Sequence, residues 1–180
     1  MVHVARRDGF REASTLDVAK RAGVSHGLVF AHFATRDALL VEAVGDLGLQ
    51  VTNAIHALVS KGGDMRDVLR AHLRCIQDVE ELYARLISEL PFLPARARTA
   101  WLGVQSAISH HLTGAYATAV ANGELKAVPA HLVFNTWIGL VHHYVLQREL
   151  FAPGGSVVRK HGATLVDHFM RLHEKATRPS

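Results

Sequence analysis

The N-terminal side chains best able to do chemistry in this 180-residue chain are hydrogen-bond donors rather than acids or nucleophiles: Ser14, Ser25, His26, His32 and Arg36, set around Gly27, Leu28 and Phe30. Hydroxyl, imidazole and guanidinium groups along short helices donate to phosphate oxygens and base edges, which is the chemistry of holding a nucleic acid. The stretch AGVSHGLVFAHF at residues 22–33 sharpens this reading. A helix made only to pack does not place His26 and Gly27 directly after a Gly23-Val24-Ser25 break. Small, nearly uncharged residues do let a helix come close to base edges in a major groove.

Such side chains need a rigid frame, and helix caps supply one. Ser14 precedes TLDVAKRA with Asp17 three residues on, a capping-box pattern that starts a helix near residue 15, and Gly23 ends it. Ser25 caps a second helix over 26–32, and Thr35 caps a long third one that runs to Gly62-Gly63. Two short capped helices joined at Gly23-Val24 form a helix-turn-helix. Val18, Ala19, Ala22, Val24, Val29 and Phe33 are expected to face inward, leaving His26, Gly27, Leu28, Phe30 and His32 outward or at the rim. Charge agrees with this: residues 1–36 hold six basic against three acidic side chains, so most of the net +4 sits where a polyanion-binding surface needs it.

The rest of the chain reads as further helices. DMRDVLRAHLRCIQDVEELYARLISEL predicts one helix closed by Pro91 and Pro94; another spans 95–122 with a break near Gly103; two more cover 129–151 and 156–175. The fold class is therefore all-α, with a three-helix N-terminal unit over 1–45 and a helical domain over 46–180. With 49% hydrophobic and 20% charged residues, the chain can bury an ordinary core. Cys75 is the single cysteine, so neither an intramolecular disulfide nor a cysteine-based zinc site can form, and a reducing, cytoplasmic location is expected. No run reaches the roughly 18 uninterrupted apolar residues of a membrane span, and no signal-peptide core opens the chain. The adjacent pairs His110-His111 and His142-His143 cannot each face one ligand site from one helix face, so no metal and no cofactor are expected. There is no Ser, His and acid arrangement, phosphate loop or metal motif, which argues against an enzyme.

The stretch GFREASTLDVAKRAGVSHGLVFAHFATRDALL resembles, without a gap, the DNA-binding module of the TetR family of bacterial transcriptional regulators. The resemblance implies that Ser14 and Ser25 contact the sugar-phosphate backbone or cap helices. It places His26 to Phe30 on the recognition helix and sets His32 and Arg36 against phosphates. Several residues depart from the family's pattern: Phe30 stands for the usual Tyr, Leu28 for a small polar residue, and Thr15 for an aliphatic one. Only eight residues precede Gly9, about half the family's first helix. The family further implies a double-stranded operator, a small-molecule effector and a homodimer. The last two helices are expected to pair through Leu132, Thr136, Leu140 and His143 and through Val158, Leu165, Phe169 and Leu172. Trp101, Gln105, Ile108, His111, Leu112, Phe134, Trp137, Ile138 and Val141 offer mostly apolar walls for a hydrophobic or aromatic effector. The alternative is a dimeric, helical small-molecule-binding protein with weak or lost DNA affinity.

Overall fold

The computed structural model describes residues 9–59 and 62–175. Its helices are α1 (Thr15–Ala22), α2 (His26–His32), α3 (Arg36–Val59), α4 (Met65–Gln77), α5 (Glu80–Glu89), a 3₁₀ turn at Leu90–Phe92, α6 (Ala95–Ala121), α7 (Ala130–Leu146), α8 (Arg148–Phe151) and α9 (Val157–His173). Among the described residues there is no strand, only an isolated bridge between Leu125 and Glu174, so the class is all-α as the sequence predicts. The segment before Gly9, where a further helix is expected, lies outside the described residues.

The short helices form where their caps dictate. Ser14 Oγ accepts from Asp17 N–H at 3.1 Å, and Ser25 Oγ from Leu28 N–H at 3.1 Å. Gly23 closes α1 in the left-handed region, at φ 67°, a conformation that costs a residue with a Cβ roughly 1–2 kcal/mol. That turn also corrects two expectations. Ala22 and Val24 are exposed instead of inward, because α1 ends at Ala22 and the left-handed step rotates Val24 onto the surface of the turn.

Two apolar cores result. A small one joins Ala13, Val18, Ala19, Val29 and Leu39, with Phe33 packed against it; the large one fills the space between α3, α4, α5, α6, α7 and α9 and includes Phe10. Leu39 belongs to the small core and its neighbour Leu40 to the large one, so α3 is shared by both. By length and composition the segment Arg36–Ala57 of this helix is apolar enough to cross a membrane, but 44% of its apolar window is buried in the fold, as for a core helix.

Three predicted element boundaries are wrong. The helix expected over residues 64–90 is two helices that break at Asp78-Val79, and the one expected over 129–151 breaks at Gln147. The break expected near Gly103 is absent: α6 runs straight through, with open space beside that glycine. On α9, Val158, Leu165 and Phe169 are buried in the chain's own core instead of forming an outer stripe, because they turn toward α4 and α7; Leu172 remains exposed. On α7, Leu132, Thr136 and His143 are exposed and Leu140 is half-buried.

Candidate nucleic-acid interface and effector cavity

α2 is held by one buried side chain and presents the rest. Val29 enters the small core, while Leu28 is 47% and Phe30 45% exposed, and Gly27 and His32 are exposed beside them. No heavy atom other than Ser25 Oγ approaches the open side of Gly27, so the backbone itself is accessible there. Thr15 Oγ1 lies 3.0 Å from His26 Nε2, and the His26 ring stands edge-on to Phe30 with centroids 4.7 Å apart. Thr15, an oddity as a core residue, therefore ties α1 to α2 and orients His26. That fixes one ring nitrogen inward and leaves the other for an outside partner. Sequence reasoning missed this bond because it joins residues eleven apart across a turn.

Two of the expected phosphate donors are otherwise employed. Ser14 Oγ donates to Asp17 Oδ2 at 2.5 Å while accepting the Asp17 N–H, which uses its only proton. Arg36 Nε donates to Ala13 O at 2.9 Å, and its Nη2 donates to Phe10 O at 2.6 Å and to Arg11 O at 2.5 Å. The guanidinium thus staples three backbone carbonyls of the leading segment to the start of α3. Arg36→Met should destabilise the small core by about 2 kcal/mol, the scale of lost bonds to a charged group. Amide exchange at Ala13 to Ala19 should accelerate, while that of α6 stays as in the parent chain. Ser25 Oγ keeps its own proton after capping α2, and Lys20 and Arg21 at the exposed end of α1 supply cationic charge nearby.

The helical domain encloses a small cavity lined by Gly48 and Val51 of α3, Cys75 and Ile76 of α4, Val79, Tyr83 of α5, and Trp101, Val104 and Ile108 of α6. Its free volume is about 20 Å³, room for one water. Of the residues expected to face an effector, Trp101 and Ile108 line it, and Gln105 lies between them on the same helix, half-buried. Trp137 and Val141 do not line it: they are packed solid in the core, Trp137 edge-on to Phe169 with centroids 5.5 Å apart. Phe134 is partly buried against the same core, and His111 faces His56 across α3 and α6 with ring centroids 5.4 Å apart. Gly48, Cys75, Ile76 and Tyr83 were not foreseen, because a cavity wall is assembled from four helices whose packing no local pattern reveals.

Tyr83 also belongs to a buried polar cluster. Its hydroxyl lies 2.9 Å from His142 Nε2, and Trp137 Nε1 donates to His72 Nδ1 at 3.1 Å. Burial lowers the His72 pKa to about 3, reinforced by His142, and lowers that of His142 to about 4; burial pushes the Tyr83 hydroxyl well up. The cluster is therefore uncharged near neutrality. Among the described residues, no group of three or more His, Cys, Asp or Glu side chains is arranged to hold a metal ion.

Two helices link the cavity to the N-terminal helix-turn-helix unit. α3 carries Gly48 and Val51 at the cavity and Arg36 and Leu39 in the unit. α5 carries Tyr83 at the cavity, and at its far end Glu89 Oε2 accepts Arg11 N–H at 2.8 Å, while the Arg11 guanidinium lies 5.1 Å above the Phe92 ring.

Comparison with known proteins gives a local sequence match and a whole-chain likeness of fold. Residues 2–43 match the sequence model of the bacterial regulatory proteins, tetR family. An HTH-type transcriptional repressor of Mycobacterium tuberculosis is 43% identical over 44 residues, 24% of this chain and 23% of its own length, and an HTH-type transcriptional regulator of Mycobacterium bovis matches equally. The aligned stretch thus spans less than a quarter of these relatives. Across the whole chain, the structure of FadR from Bacillus subtilis in complex with stearoyl-CoA superposes with a TM-score of 0.79 at 15% identity, covering 94% of this chain and 93% of that one. PfmR from Thermus thermophilus, a TetR family transcriptional regulator, gives 0.73 at 17% identity, covering 94% of each. At such identities the likeness establishes the fold: an N-terminal helix-turn-helix unit followed by a helical domain.

Proposed function

We propose, from the match of residues 2–43 to the sequence model of the bacterial regulatory proteins, tetR family, that this chain is a transcriptional repressor of that kind. It grips operator DNA as a homodimer and releases it when a small hydrophobic or aromatic molecule enters the cavity. Residues 1–45 form the reading unit and 46–180 the effector and pairing domain. The observation that supports this most is α2 itself: capped by Ser25, pinned by Val29, and offering His26, Gly27, Leu28, Phe30 and His32 outward. Gly27 gives the backbone close approach, Leu28 and Phe30 meet apolar base edges such as a thymine methyl, and Ser25 and His32 donate to phosphates.

The test is a mobility shift on the DNA flanking the gene, at rising salt. A specific shift should weaken steeply between about 50 and 200 mM salt, through counterion release. Leu28→Asp places a charge against the groove at a 47% exposed site, so it should cost about tenfold or more in operator affinity with melting unchanged. Absence of any shift from the parent protein leaves the non-DNA-binding dimer as the better reading.

Pairing places two α2 helices one groove repeat apart, about 34–36 Å. The exposed face of α7, with Leu132, Thr136, Gly139 and His143, is continuous in type with the exposed Ala163, Thr164, His168 and Leu172 of α9, and we assign the dimer seam there. Release follows from the contact of α3 with α6. A Cβ on Gly48 would sit 2.1 Å from Val104 Cγ2, so the two helices touch with no slack, and any molecule larger than a water must part them. Because α3 continues into the reading unit, parting shifts that unit, and the effector favours the shifted arrangement by its differential affinity. Gly48→Ala forces the same displacement without a ligand. It should lower operator affinity about five- to tenfold at a stability cost of about 1–3 kcal/mol. Val104→Ala in the same chain should restore the shift in an operator titration.

A further inference from the structure

We infer that His26 reads a guanine: the Thr15 hydroxyl fixes its imidazole with the proton on the outward nitrogen, Nδ1, and that N–H donates to guanine N7 or O6 in the major groove. The inference rests on the reading of α2 as the helix that enters the groove, and it assigns one contact of that helix.

Position comes first. His26 is the first residue of α2, and the N-terminal residues of a recognition helix are the ones that meet base edges. Its ring is held from two sides. Thr15 Oγ1, on α1, lies 3.0 Å from Nε2, and the Phe30 ring, one turn on, stands edge-on at an interplanar angle of 74°. His26 is half-buried, yet among the described residues Nδ1 has no hydrogen-bond partner and is not a buried orphan, so it reaches the surface.

The proton follows from the partner. A hydroxyl has one proton to place, and among the described residues His26 Nε2 is the only acceptor bonded to Thr15 Oγ1. Thr15 therefore donates, Nε2 accepts, and a neutral imidazole then carries its own proton on Nδ1. An imidazolium would present the same outward N–H, so the nitrogen that faces the groove is a donor in either state.

A fixed donor discriminates among base edges. Guanine sets two acceptors, N7 and O6, side by side; adenine follows its N7 with the N6 donor, thymine O4 sits beside a methyl group, and cytosine shows only its N4 donor. Guanine thus meets the N–H with no competing donor, and cytosine opposes it. With the proton on Nε2 instead, Nδ1 would accept, and the order would turn toward adenine and cytosine. Thr15 is a positioning residue: it acts through His26 and sets which base that ring accepts.

Two measurements on the full-length protein test this. Nitrogen-15 shifts of labelled histidine rings, taken near pH 8 without DNA and assigned by the signal missing from His26→Gln, report the tautomer directly. The proton should sit on Nδ1 in the parent and in Thr15→Ser, and move to Nε2 in Thr15→Val. Selection of bound duplexes from a randomised pool then gives the half-site. At one position guanine should be favoured over cytosine by about tenfold, within the range for one mismatched base pair. That preference should persist in Thr15→Ser, fall to about twofold or less in Thr15→Val, and vanish in His26→Ala. The parent's ring shifts do not depend on Thr15→Val, so a misfolded variant does not blunt the test. A proton on Nε2 in the parent, or a guanine preference untouched by Thr15→Val, would overturn the inference and leave the DNA reading of α2 standing. A half-site with no position sensitive to His26→Ala would overturn it too. A pool from which the parent enriches no sequence would remove the DNA reading itself, and the inference with it.

Discussion

Glu80→Ala should cost the protein about 3–5 kcal/mol and lower its urea midpoint accordingly, the loss expected when a buried charged acceptor is removed and its donors are stranded. Glu80 is only 7% exposed, and its carboxylate accepts from Val157 N–H at 2.9 Å, Val158 N–H at 3.2 Å and Ser156 O–H at 2.6 Å. Those are the orphan donors at the start of α9, satisfied not by a neighbour in sequence but by a side chain from the first turn of α5. A carboxylate there also opposes the positive end of the α9 dipole. Since a domain's whole stability is about 5–15 kcal/mol, one side chain would remove a large share of it. Glu80→Gln keeps an acceptor oxygen and the shape and should cost about half as much. A midpoint within error of the parent for Glu80→Ala would show that water reaches α9's first turn and that this link is dispensable.

The same bond explains a boundary that sequence reading could not see. The apolar period runs unbroken from Asp64 to Leu90, with neither Gly nor Pro to interrupt it. The chain nevertheless breaks at Asp78-Val79, which lets Glu80 swing onto α9, a contact 77 residues away for Val157. Where structure is fixed by neighbours, the sequence is legible. Ser14, Gly23 and Ser25 place α1 and α2 to the residue because each cap satisfies backbone groups within four positions. Gly103 misleads in the opposite sense: a glycine within a strongly helical stretch lowers propensity by about 1 kcal/mol, and packing of α6 on its neighbours overrides so small a term.

The site divides along the same line. The outward set of α2 is legible because a seven-residue helix with a single core residue, Val29, has only one way to turn. Which donors remain free is not legible: Arg36 has the charge and position of a phosphate ligand, yet its guanidinium is spent on carbonyls of the leading segment. Cavity walls are harder still. Trp101, Ile108, Trp137 and Val141 share the same apolar signature, and only the packing of four helices decides that the first two meet free space and the last two meet Phe169 and its neighbours.

Acid should unfold this protein through two histidines well before its carboxylates titrate. His72 and His142 have folded-state pKa values of about 3 and about 4, against 6.5 for the unfolded chain, because burial disfavours the imidazolium and His142 adds repulsion at His72. The unfolded state therefore binds two protons that the folded state refuses between pH 6.5 and about 4. Stability must fall as pH falls through that window, and these two groups leave it flat above about pH 7.5. Each fully depressed histidine contributes about 1.4 kcal/mol per pH unit, so the pair approaches about 2.7 kcal/mol per unit below pH 5.5 and removes several kcal/mol by pH 4.5. Urea unfolding at pH 7.5, 6.0 and 5.0 measures the slope above the range where carboxylates dominate. Replacing the partner of Tyr83, by His142→Asn, should roughly halve it, because only His72 would then refuse its proton. A stability level from pH 7.5 to 5.0 would mean instead that the cluster takes up protons while folded, which requires water at Tyr83 and a cavity far more open than one of about 20 Å³.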